Sequence, residues 1–452
     1  MRRSVLGAAV AASVAVLAGS SFSAAETAAP ALTLYRHARL IDGTGGPMRP
    51  GMSVLVEGER IKAVAPDAEL AAPAAARIVD LSGKYLLPGL IDSHEHLATP
   101  PNRRQAEANL RRDLYGGVTA IRDMADDLRA VAELARASRA AEIPAPDIYS
   151  AALMAGPSFF ADPRTHAATF GVEPGKAPWM QAIDETTDIR EAVTLARGTS
   201  ATAIKIYANL PADLVSKIAA EAHRQGLKVW AHSTVYPATA ADVLAAGTDV
   251  VSHACGLGHA VAGTPPSYQA RTPMDPAPFL AADNPVIGRL YETMKAQGTI
   301  LDATVSIYEE QERQRARNPK MKPALCSGAM AAALTRQAVR AGVPVTTGTD
   351  WQAPWSDPWP TVYQEFAALA GLGMTPAQVI HSATEVGARA AGQEADMGTI
   401  APGKLADMIV VVKDPLANIA NLKSLQTTIK RGRAYPRGEF KPLVKGDIGD
   451  DE

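Results

Sequence analysis

Two histidines separated by one residue, His94 and His96, follow an apolar run and are the first candidates for metal binding. In a β-strand alternate side chains point to the same face, so both imidazoles would share one face, with Glu95 on the other. Two imidazoles on one face can bind one metal ion. Because an isolated His-x-His also occurs as a surface or packing feature, the hypothesis needs ligands from elsewhere in the chain.

Three further candidate ligands, His232, His253 and Asp350, each come directly after an apolar, β-like run. The C-terminal ends of parallel barrel strands converge on one mouth, where the active sites of such barrels lie. The sequence therefore predicts a metal site made of four histidines and one aspartate. The alternative, five unrelated polar residues that cap strands, would need the same coincidence at every strand.

Lys205 adds an unusual residue, a long cation inside the apolar run 203–206. An isolated lysine of this kind more often extends its amine to the surface or pairs with a carboxylate, since a buried ammonium is costly. Two divalent cations nearby would repel the ammonium and lower its pKa, and a neutral amine can react with carbon dioxide to give an anionic carbamate. Such a carbamate can bridge two metal ions.

Eight apolar, β-like runs alternate with Ala-rich helical stretches, which is typical of parallel βα units. We therefore predict an α/β protein whose main body is a (β/α)8 TIM barrel. The predicted barrel strands are residues 90–96, 119–122, 147–151, 203–206, 228–231, 249–253, 299–303 and 343–347. Helices are predicted over 211–225 and 375–391, and the Pro-rich stretch 261–285 is predicted to be a loop or lid.

Further β-like runs lie near both ends of the chain, at residues 32–41, 53–57, 60–65, 406–412 and 429–431. They are separated by Gly-rich turns near the start and by a Pro-Gly-Lys turn near the end. We predict that residues 26–86 and 397–440 form one small β-sandwich domain. The barrel would then occupy residues 87–396, with a tail at 441–452.

The N-terminus has the pattern of an export signal. Arg2 and Arg3 precede an apolar run over 5–18, and small residues at 23–25 offer a cleavage site, which predicts a signal peptide over residues 1–25. The run is too short for a membrane-spanning helix, so no stable membrane anchor is expected. We expect a periplasmic or secreted protein, exported by the Sec route or, because the two arginines also fit that pattern, by the twin-arginine route.

The composition favours a small-molecule substrate. A formal net charge of −2 offers no basic surface that could neutralise nucleic-acid phosphates, so nucleic acid is not expected as a partner. The oligomeric state is left open, with a homo-oligomer as one alternative. In an oxidising compartment Cys255 and Cys326 can pair or remain free, and the sequence does not decide between the two.

The segment Pro-Gly-Leu-Ile-Asp-Ser-His-Glu-His at residues 88–96, followed in order by Lys205, His232, His253 and Asp350, resembles the amidohydrolase superfamily. The resemblance spans nearly the whole mature chain and is strongest toward imidazolonepropionase-like and prolidase-like members. It implies a metal-dependent hydrolase with two divalent metal ions. Zinc is the metal that it implies first, although manganese, iron and cobalt accept the same ligands.

The resemblance also implies a role for each residue of the site. Asp350 would accept a proton from the attacking water and return it to the leaving amine. Six ligands would hold the two ions: His94, His96 and Asp350 for one, His232 and His253 for the other, and carbamylated Lys205 as the bridge.

Residues that contact the substrate are harder to assign, and ordinary surface or packing roles are the alternative for each. Four polar residues near predicted strand ends or loops are candidates: Tyr207, His166, Arg164 and His259. Three tryptophans after the last ligand are candidates for an apolar wall: Trp351, Trp355 and Trp359.

We predict hydrolysis of the amide bond of a dipeptide or an N-acyl amino acid. The same site could act instead on a lactone, a cyclic imide or an organophosphate, and the fold alone cannot separate these substrates. From another class, a relative that has lost its metals would be a binding protein, but the complete ligand set argues against that reading.

Overall fold

The computed structural model of the protein describes residues 31–448, so the predicted signal peptide and the last four residues of the tail lie outside it. Its strands are β1 (Leu32–Leu40), β2 (Arg49–Glu57), β3 (Arg60–Pro66), β4 (Arg77–Asp80), β5 (Tyr85–Pro88), β6 (Leu90–Glu95), β7 (Val118–Asp123), β8 (Asp147–Ala155), β9 (Lys176–Ala177), β10 (Met180–Ala182), β11 (Ala203–Ile206), β12 (Lys228–His232), β13 (Val250–Ser252), β14 (Ile300–Asp302), β15 (Val345–Thr346), β16 (Met408–Val411), β17 (Leu425–Lys430) and β18 (Arg433–Pro436). Its α-helices are α1 (Arg103–Tyr115), α2 (Leu128–Arg139), α3 (Pro163–Ala168), α4 (Ile189–Arg197), α5 (Ala212–Arg224), α6 (Ala240–Ala245), α7 (His259–Ala262), α8 (Ala277–Leu280), α9 (Pro285–Gln297), α10 (Val305–Arg317), α11 (Gly328–Ala341), α12 (Val362–Gly371), α13 (Pro376–His381), α14 (Gly387–Ala391) and α15 (Lys445–Ile448).

The eight predicted barrel strands are confirmed. They pair in parallel in the order β6-β7-β8-β11-β12-β13-β14-β15. The backbone N–H of Ser93 donates to the carbonyl of Thr347 at 2.7 Å, which links the first strand to the residue that follows the last one. Helices cover the outside, so the strands are buried on both faces and read as continuous apolar runs.

Two details of the barrel differ from the prediction. Strand β8 continues four residues beyond the predicted end, and its last residues, Leu153–Ala155, pair with the short strand β10, which forms a hairpin with β9. The predicted helix over 375–391 is α13 and α14 joined by a π-helical turn at Ser382–Val386. The stretch 261–285 is mainly irregular, as predicted, and contains the short helix α8.

Both ends of the chain contribute to one mixed sheet, as the sequence predicts. Its order is β18-β17-β16-β5-β1-β2-β3, with β4 paired to β1. Strand β5 pairs antiparallel with β16 and thereby joins the N-terminal and C-terminal parts. In β16 the alternation of side chains sends Met408 and Val410 into the core of this sheet, and Ile409 and Val411 into the core of the barrel.

A buried ion cluster fixes this sheet to the barrel. Asp147, at the start of β8, is 2% exposed and contacts Lys430 Nζ at 2.8 Å and Arg431 Nη2 at 2.7 Å. Burial raises the pKa of Asp147, but the charges of Lys430 and Arg431 outweigh that effect and lower the pKa overall. The carboxylate is therefore ionised and paired at the junction.

Two further observations complete the description. Cys255 and Cys326 form a disulfide with Cα atoms 6.1 Å apart, which resolves the alternative that the sequence left open. The bond connects the end of β13 with the segment before α11. Within residues 31–448, no helix is long and apolar enough to span a membrane.

Candidate metal centre and active site

The predicted ligands lie at the mouth of the barrel because of strand alternation. Side chains two residues apart on a strand share a face, and Ala203, Trp230 and Ile300 pack together in one apolar cluster. Two residues further along the same strands are Lys205, His232 and Asp302, which therefore face the same way. Of the other predicted ligands, His94 lies on β6, His96 and His253 directly follow β6 and β13, and Asp350 lies in the loop after β15.

His94, His96 and Asp350 come together as a possible metal-binding group. The Nε2 atoms of both histidines lie 3.3 Å from Asp350 Oδ1, and the three ligand atoms lie within 4.8 Å of one another. His253 Nε2 is 3.9 Å from the other oxygen, Asp350 Oδ2. The ring of His232 is 4.9 Å from that of His253. The carboxylate of Asp350 thus has imidazoles near both of its oxygens.

Carboxylates behind the histidines orient the rings. His94 Nδ1 lies 2.7 Å from Asp302 Oδ2, and His96 Nδ1 lies 2.8 Å from Asp126 Oδ1. An imidazole whose Nδ1–H donates to a carboxylate presents the lone pair of Nε2 to the opposite side, which is the arrangement of metal-binding histidines. The donor set and its orientation therefore fit a divalent cation.

Sequence reasoning missed these two carboxylates, although a signal was available for one of them. Asp302 ends the predicted strand 299–303 in the same way as the ligands end theirs. Asp126 lies in the loop after β7, and its contact with His96 depends on how that loop folds back. It also accepts hydrogen bonds from the Ala98 N–H and the Thr99 hydroxyl, so it holds the segment that follows His96.

Lys205 is 1% exposed and forms no ion pair with a carboxylate of residues 31–448. Its Nζ donates to Ser252 Oγ at 3.2 Å, and Ser252 Oγ donates to Asp302 Oδ2 at 2.8 Å. Burial lowers the pKa of Lys205 to about 7, with a contribution from the buried guanidinium of Arg122 and an opposing one from Asp302. A substantial fraction of the amine is therefore neutral near pH 7.

The protonation states of three ligands follow from their surroundings. Burial lowers the pKa of His232 well below its usual value, and lowers that of His253 to about 3 against the opposing charge of Asp350. These two imidazoles are neutral and able to bind a cation. Burial also opposes the charged form of His96, but the charges of Asp126 and Asp350 raise its pKa well above the usual value. A metal ion at His96 must therefore displace a proton.

The backbone is strained at two of the ligands. Asp350 has φ +59° and His253 has φ +72°, values that cost a non-glycine residue about 1–3 kcal/mol. Hydrogen bonds hold both in place: the Asp350 N–H donates to His94 O, and the His253 N–H donates to Asp302 O, each at 2.8 Å. Gly348 is needed nearby, because a Cβ there would collide with Asp302 and His94.

A cavity of about 560 Å³ opens above the ligands. Of the four predicted substrate contacts, Tyr207, Arg164 and His259 line it, whereas His166 is exposed and lies outside the lining. Its aromatic wall consists of Phe159, Tyr207, Tyr236, Tyr268 and Tyr308. The ring of Tyr207 is 3.9 Å from that of His232, so this wall reaches the metal ligands.

None of the three predicted tryptophans lines the cavity. The indole N–H of Trp351 donates to Ser306 Oγ at 3.1 Å, and Trp355 is 43% exposed. Trp359 packs under the guanidinium of Arg437 at 4.2 Å, next to the C-terminal strands. The segment after Asp350 therefore turns away from the mouth, and tyrosines take the place that the sequence suggested for the tryptophans.

Comparisons with known proteins agree with this architecture. The model of the Amidohydrolase family matches residues 85–435. An imidazolonepropionase of Symbiobacterium thermophilum is 24% identical over 404 residues, which cover 82% of this chain and 88% of that protein. An adenine deaminase of Rubrobacter xylanophilus is 40% identical over only 68 residues, which are 15% of this chain and 11% of that protein.

A solved structure has the same fold over most of its length. A Xaa-Pro dipeptidase with bound methionine in its active site superimposes with a TM-score of 0.70 at 21% identity, covering 90% of this chain and 100% of that chain. The family match covers the barrel and the strands β5, β16, β17 and β18 of the terminal sheet, and includes every predicted ligand. The chain therefore belongs to the amidohydrolase family and is a hydrolase.

Proposed function

We propose that this hydrolase is an exported enzyme with two divalent metal ions, zinc first among the candidates, that cleaves the amide bond of a dipeptide or an N-acyl amino acid. The observation that carries the proposal is the convergence of His94 Nε2, His96 Nε2 and Asp350 Oδ1, with carboxylates behind both rings. Likeness in fold to a Xaa-Pro dipeptidase supports a peptide-like amide as the substrate.

The proposed ligand sets follow the geometry of the mouth. His94, His96 and Asp350 would hold one ion, His232 and His253 the other, and carbamylated Lys205 would lie between them. When bound, the two ions would activate a water molecule and polarise the carbonyl group of the substrate. The chain supplies the proton transfer. Burial raises the pKa of Asp350, but the charge of His94 and the hydrogen bond from His96 outweigh this effect and hold it well below the usual range, so the carboxylate is ionised and can accept a proton.

Lys205 meets the chemical requirement for carbamate formation. The neutral Nζ attacks carbon dioxide, a nitrogen–carbon bond forms, and one proton leaves to solvent, so the product carries one negative charge. Ser252 Oγ, 3.2 Å from Nζ, supplies a hydrogen-bonding partner at this position. We expect Lys205→Ala to lose bound metal and activity together, because the anion between two cations is removed. Short carboxylic acids added to this variant should restore part of both, and an unchanged metal content would contradict the carbamate.

Export is proposed from the sequence of the N-terminus and gains support from the disulfide. Disulfides persist in oxidising compartments and are rare in the cytosol, and Cys255 and Cys326 are paired. We propose a periplasmic or secreted enzyme that uses the Sec or the twin-arginine route. Fractionation of cells that express the full chain tests this proposal, and retention of unprocessed protein in the cytosol would contradict it.

The function is tested by metal analysis and by substrate screening of the purified mature protein. We expect about two equivalents of divalent metal per chain, and loss of hydrolysis on chelation that is reversed by added metal. His94→Ala should lose metal and activity. The control variant His37→Asn, in the terminal sheet and remote from the mouth, should lose neither. Turnover of lactones, cyclic imides or organophosphates without turnover of dipeptides and N-acyl amino acids would replace the proposed substrate class. Absence of metal and of any turnover would favour a binding protein.

A further inference from the structure

One wall of the cavity is formed by the segment 261–285, which is held in place by a chain of hydrogen bonds. The backbone N–H of Tyr268 donates to Asn209 Oδ1 at 2.7 Å, and Asn209 Nδ2 donates to Gln269 Oε1 at 2.9 Å. Gln269 Nε2 in turn donates to Ser158 O at 3.1 Å. The segment therefore presents its cavity-facing side chains from a fixed backbone.

Arg271 in this segment lines the cavity. Its Nε donates to Tyr268 O at 2.7 Å, and its guanidinium lies 3.4 Å from the centre of the Tyr268 ring. No carboxylate of residues 31–448 forms an ion pair with it. The Nε hydrogen bond and a contact with the Tyr236 side chain use two of the five N–H donors of Arg271, so terminal N–H donors remain for a ligand.

Arg164, one of the substrate contacts predicted from the sequence, differs from Arg271 in this respect. Its Nε and Nη2 donate to the two oxygens of Asp162, at 3.0 and 2.8 Å. Because this bidentate pair neutralises the charge and Nη2 also donates to Tyr268 Oη at 3.2 Å, Arg164 is less suited to bind the anionic group of a substrate. Arg271 is therefore the better candidate for binding a carboxylate of the substrate.

The acidic residues of the cavity do not compensate Arg271. Among the described residues that line it, the acidic ones are Asp126 and Asp350, and both are engaged with the histidines at the floor. Arg271 is connected to that floor through Tyr268, whose ring stacks at 6.3 Å from the ring of His232. Asp162, whose charge also interacts with Arg271, is already paired with Arg164. A guanidinium without an ion pair of its own, on an aromatic wall beside the predicted ligands, is suited to an anionic group on an otherwise apolar molecule.

We propose that Arg271 binds the free carboxylate of the leaving amino acid and that Tyr236, Tyr268 and Tyr308 receive its apolar side chain. This inference rests on the proposed function and deepens it, because it makes the enzyme selective for amides whose leaving group ends in a carboxylate. A C-terminal carboxamide of the same amino acid would present no charge to Arg271 and would bind more weakly.

Binding of a stable analogue to the metal-loaded enzyme tests this proposal without turnover. The probes are N-methanesulfonyl-L-phenylalanine and its carboxamide, which differ only in the charge of the end group, measured by isothermal titration calorimetry. We expect the wild-type enzyme to bind the acid at least about tenfold more tightly than the carboxamide. Arg271→Gln should abolish this difference while leaving affinity for the carboxamide nearly unchanged, and Arg271→Lys should retain part of it.

Two control variants make the outcome specific. Arg315→Gln removes another arginine from the same cavity, one whose Nε donates to Lys322 O. Arg289→Gln makes the same change of net charge on the exposed side of α9. Equal affinity of the wild-type enzyme for acid and carboxamide, or loss of the preference in Arg315→Gln but not in Arg271→Gln, would overturn the proposal. The proposed function fails separately, if the acid is preferred but no N-acyl amino acid or dipeptide is hydrolysed.

Discussion

Two carboxylates, Asp147 buried at the base of the barrel and Asp350 half-buried at its mouth, have opposite surroundings. Asp147 is contacted by Lys430 and Arg431, cations that belong to the chain itself. Asp350 lies among imidazoles whose Nδ1 atoms contact other residues and whose Nε2 atoms point toward it. A buried anion matched by the protein's own cations is costly to remove, because the cations are then left unpaired, whereas an anion placed among imidazoles is a candidate site for an external ion.

Replacing the carboxylate at the mouth should produce the largest effect on activity. We expect Asp350→Asn to lower kcat by about 10²–10⁴-fold, because an amide is a poor proton acceptor, while the remaining ligands retain much of the metal. Steady-state kinetics and elemental analysis of the same preparation measure the two quantities. A kcat close to that of the wild-type enzyme would remove Asp350 from the proton transfer.

The corresponding change at the base should affect stability instead. Asp147→Asn leaves the buried Lys430 without its anion, which we expect to cost about 3 kcal/mol in the free energy of unfolding. Urea denaturation measures this cost, with Asp396→Asn as the control, since Asp396 pairs with Arg60 at the surface. The kcat of the folded fraction should stay unchanged. A stable Asp147→Asn variant with impaired kcat would mean that the comparison between the two ends of the barrel is wrong.

Removing Asp126, the carboxylate that contacts His96, should have a smaller effect than replacing Asp350. Asp126→Asn should weaken metal binding by about 10–100-fold, because the ring of His96 loses its orientation and part of its basicity. Competition with a chelator of known affinity measures the change. A variant that binds metal as tightly as the wild-type enzyme would show that Asp126 has no part in the site.

The smallest expected effect is a change with pH in the loss of metal affinity that Asp126→Asn causes. Asp126 raises the pKa of His96, so in the wild-type protein a proton competes with the metal as pH falls through that raised pKa. In Asp126→Asn the pKa of His96 is lower, and proton competition begins at a lower pH. The affinity ratio between the two proteins should therefore narrow as pH falls, and a ratio that widens would contradict this assignment of charges.

The barrel strands and the positions of the predicted metal ligands could be predicted because both depend on local sequence. A ligand that ends an apolar run is carried to the mouth by the strand that precedes it, as β11, β12 and β13 show for Lys205, His232 and His253. Residues that depend on how loops fold were not predictable in the same way. Trp351 and Arg271 lie in such loops, and only the tertiary structure turns the first away from the cavity and the second into it.

The local pairing of Arg164 with Asp162 has a signal in the sequence that the prediction of substrate contacts did not use. Asp162, two residues earlier, caps α3 by accepting from the Arg164 N–H at 3.0 Å and also pairs with its guanidinium. An Asp-Pro-Arg sequence at the start of a helix commonly predicts such a cap. The charge of Arg164 could therefore have been expected to be used locally.

The Cys255–Cys326 disulfide cross-links the lining of the cavity, and whether this bond forms depends on the redox state of the compartment. Cys255 and Cys326 both line the cavity, and the chain between them carries Tyr268, Arg271 and Tyr308 of its lining. In a reducing cytosol the two sulfurs would remain thiols, and hydrogen bonds and packing alone would hold that wall. If the protein is exported as proposed, the disulfide would form only after export, and we expect the reduced chain to bind its substrate more weakly than the oxidised one.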